Sequence, residues 1–133
     1  MSLLFHKGLL AVTAVLDVAL HMGDQPVASK ALAHRHRLSP RHLEPVLQAL
    51  VHKGILKGIR GPRGGYQLAR DPRQITADDI LRAIGTIEEQ EEVAAAKSRL
   101  VAHVVGPVLA RAEVAFSTAL AEINIEDLVG AQR

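Results

Sequence analysis

The chain has 133 residues, 48% of them apolar but only 2% aromatic, and a formal net charge of +2. That length suits one domain, or a small domain with an appendage, around a core of Leu, Val, Ile and Ala. There is no cysteine, which excludes disulfides, thiolate zinc sites and ordinary iron–sulfur ligation.

The small net charge conceals an asymmetry. Residues 1–73 hold 11 Lys/Arg against 4 Asp/Glu, whereas residues 74–133 hold 5 against 10. Six of the seven histidines also fall in the basic half. A basic front half predicts a polyanionic partner, and an acidic rear half predicts different work. The apolar run Leu9–Leu20 is interrupted by Asp17 and is not followed by a small-residue cleavage site. No stretch reaches the roughly 18 apolar residues of a membrane span, so a soluble cytoplasmic protein with no membrane partner is expected.

The spacing of Val12, Val15, Leu16, Ala19 and Leu20 predicts a helix over 3–22 with that stripe buried, ended by Gly23-Asp24-Gln25-Pro26. A short second helix follows over 28–36, packing Ala31 and Leu32 from a poor N-cap at Ala28. Arg37-Leu38 is the turn into a third helix. Ser39 is its N-cap and Pro40 its first residue, and Gly54 is its stop. Leu43, Val46, Leu47, Leu50 and Val51 form the buried face, with Arg41 and His42 pointing away from it in the first turn. Pro45 lies past that turn, where it deletes a hydrogen bond to the Arg41 carbonyl and predicts a kink costing ~3 kcal/mol.

Ile55–Arg70 then reads as two short apolar runs around Gly61-Pro62-Arg63-Gly64-Gly65, a β-hairpin with a loop of several residues. Its tip is cationic: Arg60 and Arg63 lie at the turn and Lys57 on a strand. After the turn Asp71-Pro72-Arg73, Thr76 and Asp79 form a short-armed capping box for a fourth helix, with Ile80, Leu81 and Ile84 as its stripe and Gly85 as its close. Residues 86–97 are acidic and alanine-rich. A long helix with a broad apolar face spans Leu100 to Ile123, and Gly106-Pro107 marks its start or a kink within it. Asn124 and Asp127 cap a last turn.

Helix, short helix, turn, capped helix and basic hairpin in that order form the plan of a winged helix-turn-helix: mainly α with a small β wing. The organisation is 1–85 as DNA-binding domain, 86–105 as acidic linker and effector segment, and 106–133 as C-terminal dimerisation helix and tail. In this geometry the third helix enters the major groove with Ser39, Arg41 and His42 at the base edges. Arg60 or Arg63 enters a narrow minor groove. The competing readings are a helical bundle whose hairpin merely closes the core, and a winged helix used for protein interaction without specific DNA binding.

The run Arg60-Gly61-Pro62-Arg63-Gly64-Gly65-Tyr66-Gln67-Leu68-Ala69-Arg70 resembles the wing signature of the Rrf-two family of bacterial winged-helix regulators. Lys7-Gly8, Leu16-Asp17-Val18-Ala19, Ser39 with Leu43-Glu44, and Ile123 through Leu128 extend the resemblance over nearly the whole chain. It implies a homodimer joined by the long helix, bound to double-stranded DNA at a near-palindromic operator, with Lys7 as an N-terminal phosphate contact. Relatives that sense through iron–sulfur clusters carry cysteines between the fourth and long helices. This chain carries none, so cluster sensing does not carry over and no cofactor is expected.

Val104, Val108, Leu109, Ala112, Phe116 and Leu120 are the expected dimer interface, since soluble monomers rarely expose such a patch. Among the histidines, His34 and His36 are two apart on a helix, about 200° around it, and cannot share an ion. Solvated or phosphate-facing histidine is the plainer reading. Glu88 and Glu92, four apart, form a metal candidate with His103, against the plainer reading of a solvated acidic segment. An enzyme is not expected. No serine lies in a Gly-x-Ser-x-Gly elbow, and the Gly61–Gly65 stretch fits neither the phosphate-loop nor the dinucleotide fingerprint. If a regulatory input exists, as an unidentified small molecule or protein, its expected point of action is residues 86–105.

Overall fold

Helix α1 (His6–His21) is followed by α2 (Ser29–His36) and α3 (Pro40–His52), which pack on each other and on α1. The hairpin β1 (Leu56–Ile59) and β2 (Gly65–Leu68) follows, then a single 3-10 turn at Pro72–Gln74, α4 (Ala77–Glu92), α5 (Gly106–Ala121) and α6 (Ile125–Gln132). The structure is a computed structural model that describes residues 6–23, 25–92 and 99–132, leaving aside the side chains of His6, of residues 86–92 and of Val101 and Ala102. The expected helical start at residues 3–5, Asp24 of the first turn and the alanines at 94–96 lie outside the described residues.

The core is aliphatic: Val15 and Val18 of α1, Leu32 of α2, Leu43, Leu47 and Leu50 of α3, Ile80 of α4 and Ile125 of α6 are all fully buried. Three faces differ from expectation. In α1 the inward residues are Ala11, Ala14, Val15 and Val18, while Val12, Leu16 and Ala19 are half-buried and Leu20 is exposed. The helix is turned toward the side that carries Asp17, which is itself buried. In α3, Val51 is 37% exposed. At about 100° per residue it falls beyond the arc set by Leu43, Val46, Leu47 and Leu50. The α2 face is also shifted by one position, burying Leu32 and Ala33 rather than Ala31. Pro45 does not break α3, which runs through it. The proline is on the solvent side, so its missing N–H leaves an acceptor at the exposed Arg41 and not in the core.

The strands pair antiparallel from Leu56↔Leu68 to Ile59↔Gly65, leaving Arg60–Gly64 as the loop. Val27 adds an isolated rung: its N–H donates to the Tyr66 carbonyl at 2.9 Å, and the Tyr66 N–H donates to the Val27 carbonyl at 2.8 Å. The wing is thereby fastened to the residue pair that opens α2. Two glycines make this fit. A Cβ on Gly65 would land on the Val27 carbonyl oxygen, and one on Gly64 on the Ile59 carbonyl oxygen.

Both carboxylate caps form. The Asp79 N–H donates to Thr76 Oγ1 and the Thr76 N–H to Asp79 Oδ2, each at 3.1 Å. Asn124 and Asp127 repeat the arrangement at 3.2 and 2.8 Å, and α6 buries Ile125 and Val129 in the core. Gly85 does not end α4, which continues to Glu92. A π-helical turn at Val101–Val105 leads directly into α5, with Pro107 in its first turn. Gly106-Pro107 is thus an irregularity within a continuous helical path. The wider turn accommodates a proline that has no N–H for the residue 103 carbonyl.

By length and composition alone, His103–Ala121 reaches what a membrane span needs, with mean hydropathy 1.4, where no such stretch was expected. Valines and alanines reach that mean despite Arg111 and Glu113 in the middle of the helix.

Candidate nucleic-acid interface

Arg37 ends α2 in the left-handed conformation, φ 53°, and turns the chain toward α3. Ser39 has the extended backbone of an N-cap, and its carbonyl accepts from the His42 and Leu43 N–H groups at 3.1 and 3.0 Å. Its hydroxyl makes no capping hydrogen bond, contrary to the expected cap chemistry. Ser39, Arg41 and His42 are all exposed at this end of α3, as are Glu44 and Gln48 further along. α3 packs against β1 at the foot of the wing, and burial together with the nearby Glu44 carboxylate pushes the Tyr66 phenol above its ordinary range.

Lys57, Arg60 and Arg63 are exposed on the hairpin. An open concavity lined by Ser29, Lys30, Arg60, Gly61 and Tyr66, among others, joins the start of α2 to the wing. A second, lined by Lys30, His34, Arg37, Leu38 and Pro40, joins α2 to the start of α3. Lys30 belongs to both. It lies between the wing and the turn into α3, and sequence reasoning passed over it. The signal was there in Lys30, His34 and Arg37, spaced three and four apart along the outer side of a helix. Lys7 is exposed in the first turn of α1 and borders neither concavity.

Part of the front-half charge is used internally. Arg73 pairs with Asp71 at 3.0 Å, and its hydrogen bonds hold the Asp71 carboxyl below the usual range. Arg70 reaches the Gly54 carbonyl at 3.2 Å and lies 3.7 Å from Asp79. Arg35 and His36 both bind Asp17, so His36 is a structural hydrogen-bond partner, not the solvated group expected.

The residues expected at the dimer interface lie along α5. Val104, Val108, Leu109 and Ala112 are exposed, Leu109 by 61%, while Phe116 and Leu120 are half-buried. The opposite side of α5 is held to α4: the Ser117 hydroxyl donates to Asp78 Oδ1 at 2.5 Å and accepts from Arg82 Nη2 at 3.1 Å. No residue of α5 is buried. His103 is exposed in the π-turn, and the side chains of Glu88 and Glu92 lie outside the described residues. Among the described residues no three His, Asp or Glu side chains gather in a metal-binding group.

A wing fastened beside a helix-turn-helix, with exposed cations on both, defines a winged-helix protein. A family model named Rrf2 and described as an iron-dependent transcriptional regulator matches residues 4–131. The transcriptional regulator IscR of Xenorhabdus nematophila is 40% identical over 78 residues, covering 59% of this chain and 48% of that one. CymR of Bacillus subtilis is 36% identical over 98 residues, 71% of each chain. The solved structure of T. potens IscR superposes with a TM-score of 0.75 at 30% identity, covering 97% of this chain and 87% of the other.

The chain belongs to the Rrf2 family of transcriptional regulators, which are not enzymes. Its match spans about half the length of the curated IscR relatives. The family description speaks of iron, but the residues here do not fit a cluster. Clusters are held chiefly by thiolates, and the sequence offers none.

Proposed function

We propose that this chain is a homodimeric, DNA-binding transcriptional regulator that works without an iron–sulfur cluster, on a near-palindromic operator in a bacterial cytoplasm. The observation that carries the reading is the set of exposed cations on the wing, on α2 and at the start of α3. Lys30 lines one concavity with Arg60 of the wing and another with Arg37 and Pro40, in the turn before Arg41 and His42. Direct reading is assigned to Ser39, Arg41 and His42, and phosphate or minor-groove contact to Lys7, Lys30, Lys57, Arg60 and Arg63.

The uncovered apolar face of α5 supports pairing through Val104, Val108, Leu109, Ala112, Phe116 and Leu120. Two-fold pairing gives two reading heads and hence a palindromic site. The division into a reading domain (1–85), a linker that takes regulatory input (86–105) and a pairing helix (106–133) follows from this arrangement. Repression is the expected outcome, because a dimer seated on a promoter occludes it.

The test is duplex binding as a function of salt. Each neutralised phosphate contributes about −0.9 to the slope of log affinity against log salt, so Lys30, Lys57, Arg60 and Arg63 in each of two subunits give about −7, and Lys7 would steepen it further. A slope near zero, or no duplex binding at all, refutes the reading and leaves a protein-interaction module.

A further inference from the structure

We propose that Asp17 positions the helix-turn-helix: its buried carboxylate clamps the last turn of α2 onto α1 and so sets how α3 meets DNA. The consequence for DNA rests on the function proposed above; the clamp itself does not.

Left to itself α2 has little to hold it. It is eight residues long, its N-cap residue Ala28 makes no side-chain bond, and its buried residues are Leu32 and Ala33. Isolated helices of that length are marginal in water, so tertiary contacts must fix it. The Asp17 side chain is fully buried. Its Oδ1 accepts from Arg35 Nη2 at 2.7 Å, and its Oδ2 accepts from Arg35 Nε at 2.9 Å and from His36 Nε2 at 2.6 Å. His21, one turn further along α1, stands 3.5 Å from Oδ2 and hydrogen-bonds the Asp17 carbonyl at 3.0 Å.

Burial pushes the Asp17 carboxyl up, but the Arg35 and His36 hydrogen bonds and the charges of Arg35 and His21 outweigh it and hold the group below the usual range. The carboxylate is therefore ionised, and a planar guanidinium bound through two nitrogens fixes direction as well as distance. Apolar contacts at Leu32 and Ala33 permit sliding and rotation; the bidentate pair does not.

The clamp sits where it has leverage. Arg35 and His36 are in the last turn of α2, and the Leu38 N–H closes that turn on the Ala33 carbonyl at 2.9 Å. Only Arg37 and Leu38 separate the clamped turn from Ser39. A rotation of α2 is thus passed to the end of α3 that carries Arg41 and His42. Reading groups must be held within about 0.5 Å of their working geometry.

Buried ion pairs add little stability over apolar replacements of similar volume, which separates positioning from mere folding. In Asp17→Leu/Arg35→Met the melting temperature stays close to the parent's. Amides of α2 exchange at least roughly tenfold faster while those of α3 are unchanged. A duplex selected by the parent protein from a randomised pool binds at least roughly tenfold more weakly. His36→Gln keeps an N–H donor toward Asp17 and behaves like the parent in both assays, whereas His36→Leu weakens both. This single pair also decides the matter if the double variant fails to fold.

Unchanged exchange in α2 for the double variant and His36→Leu overturns the clamp. Faster exchange with unchanged duplex affinity overturns its role in positioning α3. If the parent selects no duplex, the DNA-binding function is what fails, and hydrogen exchange still judges the clamp.

Discussion

Gly65→Ala tests how the wing is held. The added Cβ would meet the Val27 carbonyl oxygen and come within 2.8 Å of the Ala28 nitrogen. Both are backbone atoms, so no side chain can rotate aside. The wing must move away from the start of α2, and the two hydrogen bonds between Val27 and Tyr66, 2.9 and 2.8 Å, are lost. At about 0.5–1.5 kcal/mol net for each, the loss is about 1–3 kcal/mol. Melting temperature should fall by roughly 5–10 °C for a chain of this size. Gly58→Ala is the matched control. Gly58 faces Tyr66 across the hairpin, and a Cβ added there would meet nothing within 4 Å. That variant should stay within about 0.5 kcal/mol of the parent. Circular-dichroism melting of both, followed by duplex binding, decides the matter. If Gly65→Ala melts with Gly58→Ala, the rung to Val27 is not what fastens the wing. If it melts lower yet binds duplex normally, the wing's position is irrelevant to DNA.

Equilibrium sedimentation at micromolar concentration should give twice the chain mass, and Phe116→Asp should yield monomers that bind duplex more weakly; a monomeric parent would remove the two-fold operator as well. Arg41→Ala should cost about 1–3 kcal/mol in each half-site and relax its base preference, whereas Arg60→Ala should chiefly reduce preference for an A·T-rich minor groove. Equal loss on every sequence after Arg41→Ala would show a phosphate contact instead of base reading. Anaerobic reconstitution with iron and sulfide should leave the protein colourless, and stoichiometric uptake with visible absorption would overturn the cluster-free proposal.

Local chemistry was legible where it is self-contained. The Thr76–Asp79 and Asn124–Asp127 caps, Pro40 at the start of α3 and the glycine-rich wing loop each depend on residues within a few positions of one another, and all form as read. Gly85 failed as a stop because a single glycine costs only about 1 kcal/mol in a helix interior. The residues before it already bury Ile80, Ala83 and Ile84. Lys30 was missed for the opposite reason. Its proposed role depends on two elements coming together, and residues 30 and 60 line one concavity because the Val27–Tyr66 rung holds the wing beside α2.

Asp17 shows where periodicity misleads. A rule that sends apolar residues inward and charges outward rotates α1 so that Leu16 and Leu20 face the core and Asp17 faces water. In the structure the carboxylate is the buried group and Leu20 lies at the surface. What reverses the choice is Arg35 and His36, 18 and 19 residues away, which supply the donors a buried carboxylate requires. Their own helix has too small an apolar face to fix its orientation without them, so the charge that seems to spoil α1 is what orients α2. The same pairing removes Arg35 from the cations available to a polyanion. A front-half balance counted from composition therefore overstates the charge facing DNA, and a measured salt slope should follow the exposed Lys30, Lys57, Arg60 and Arg63 instead.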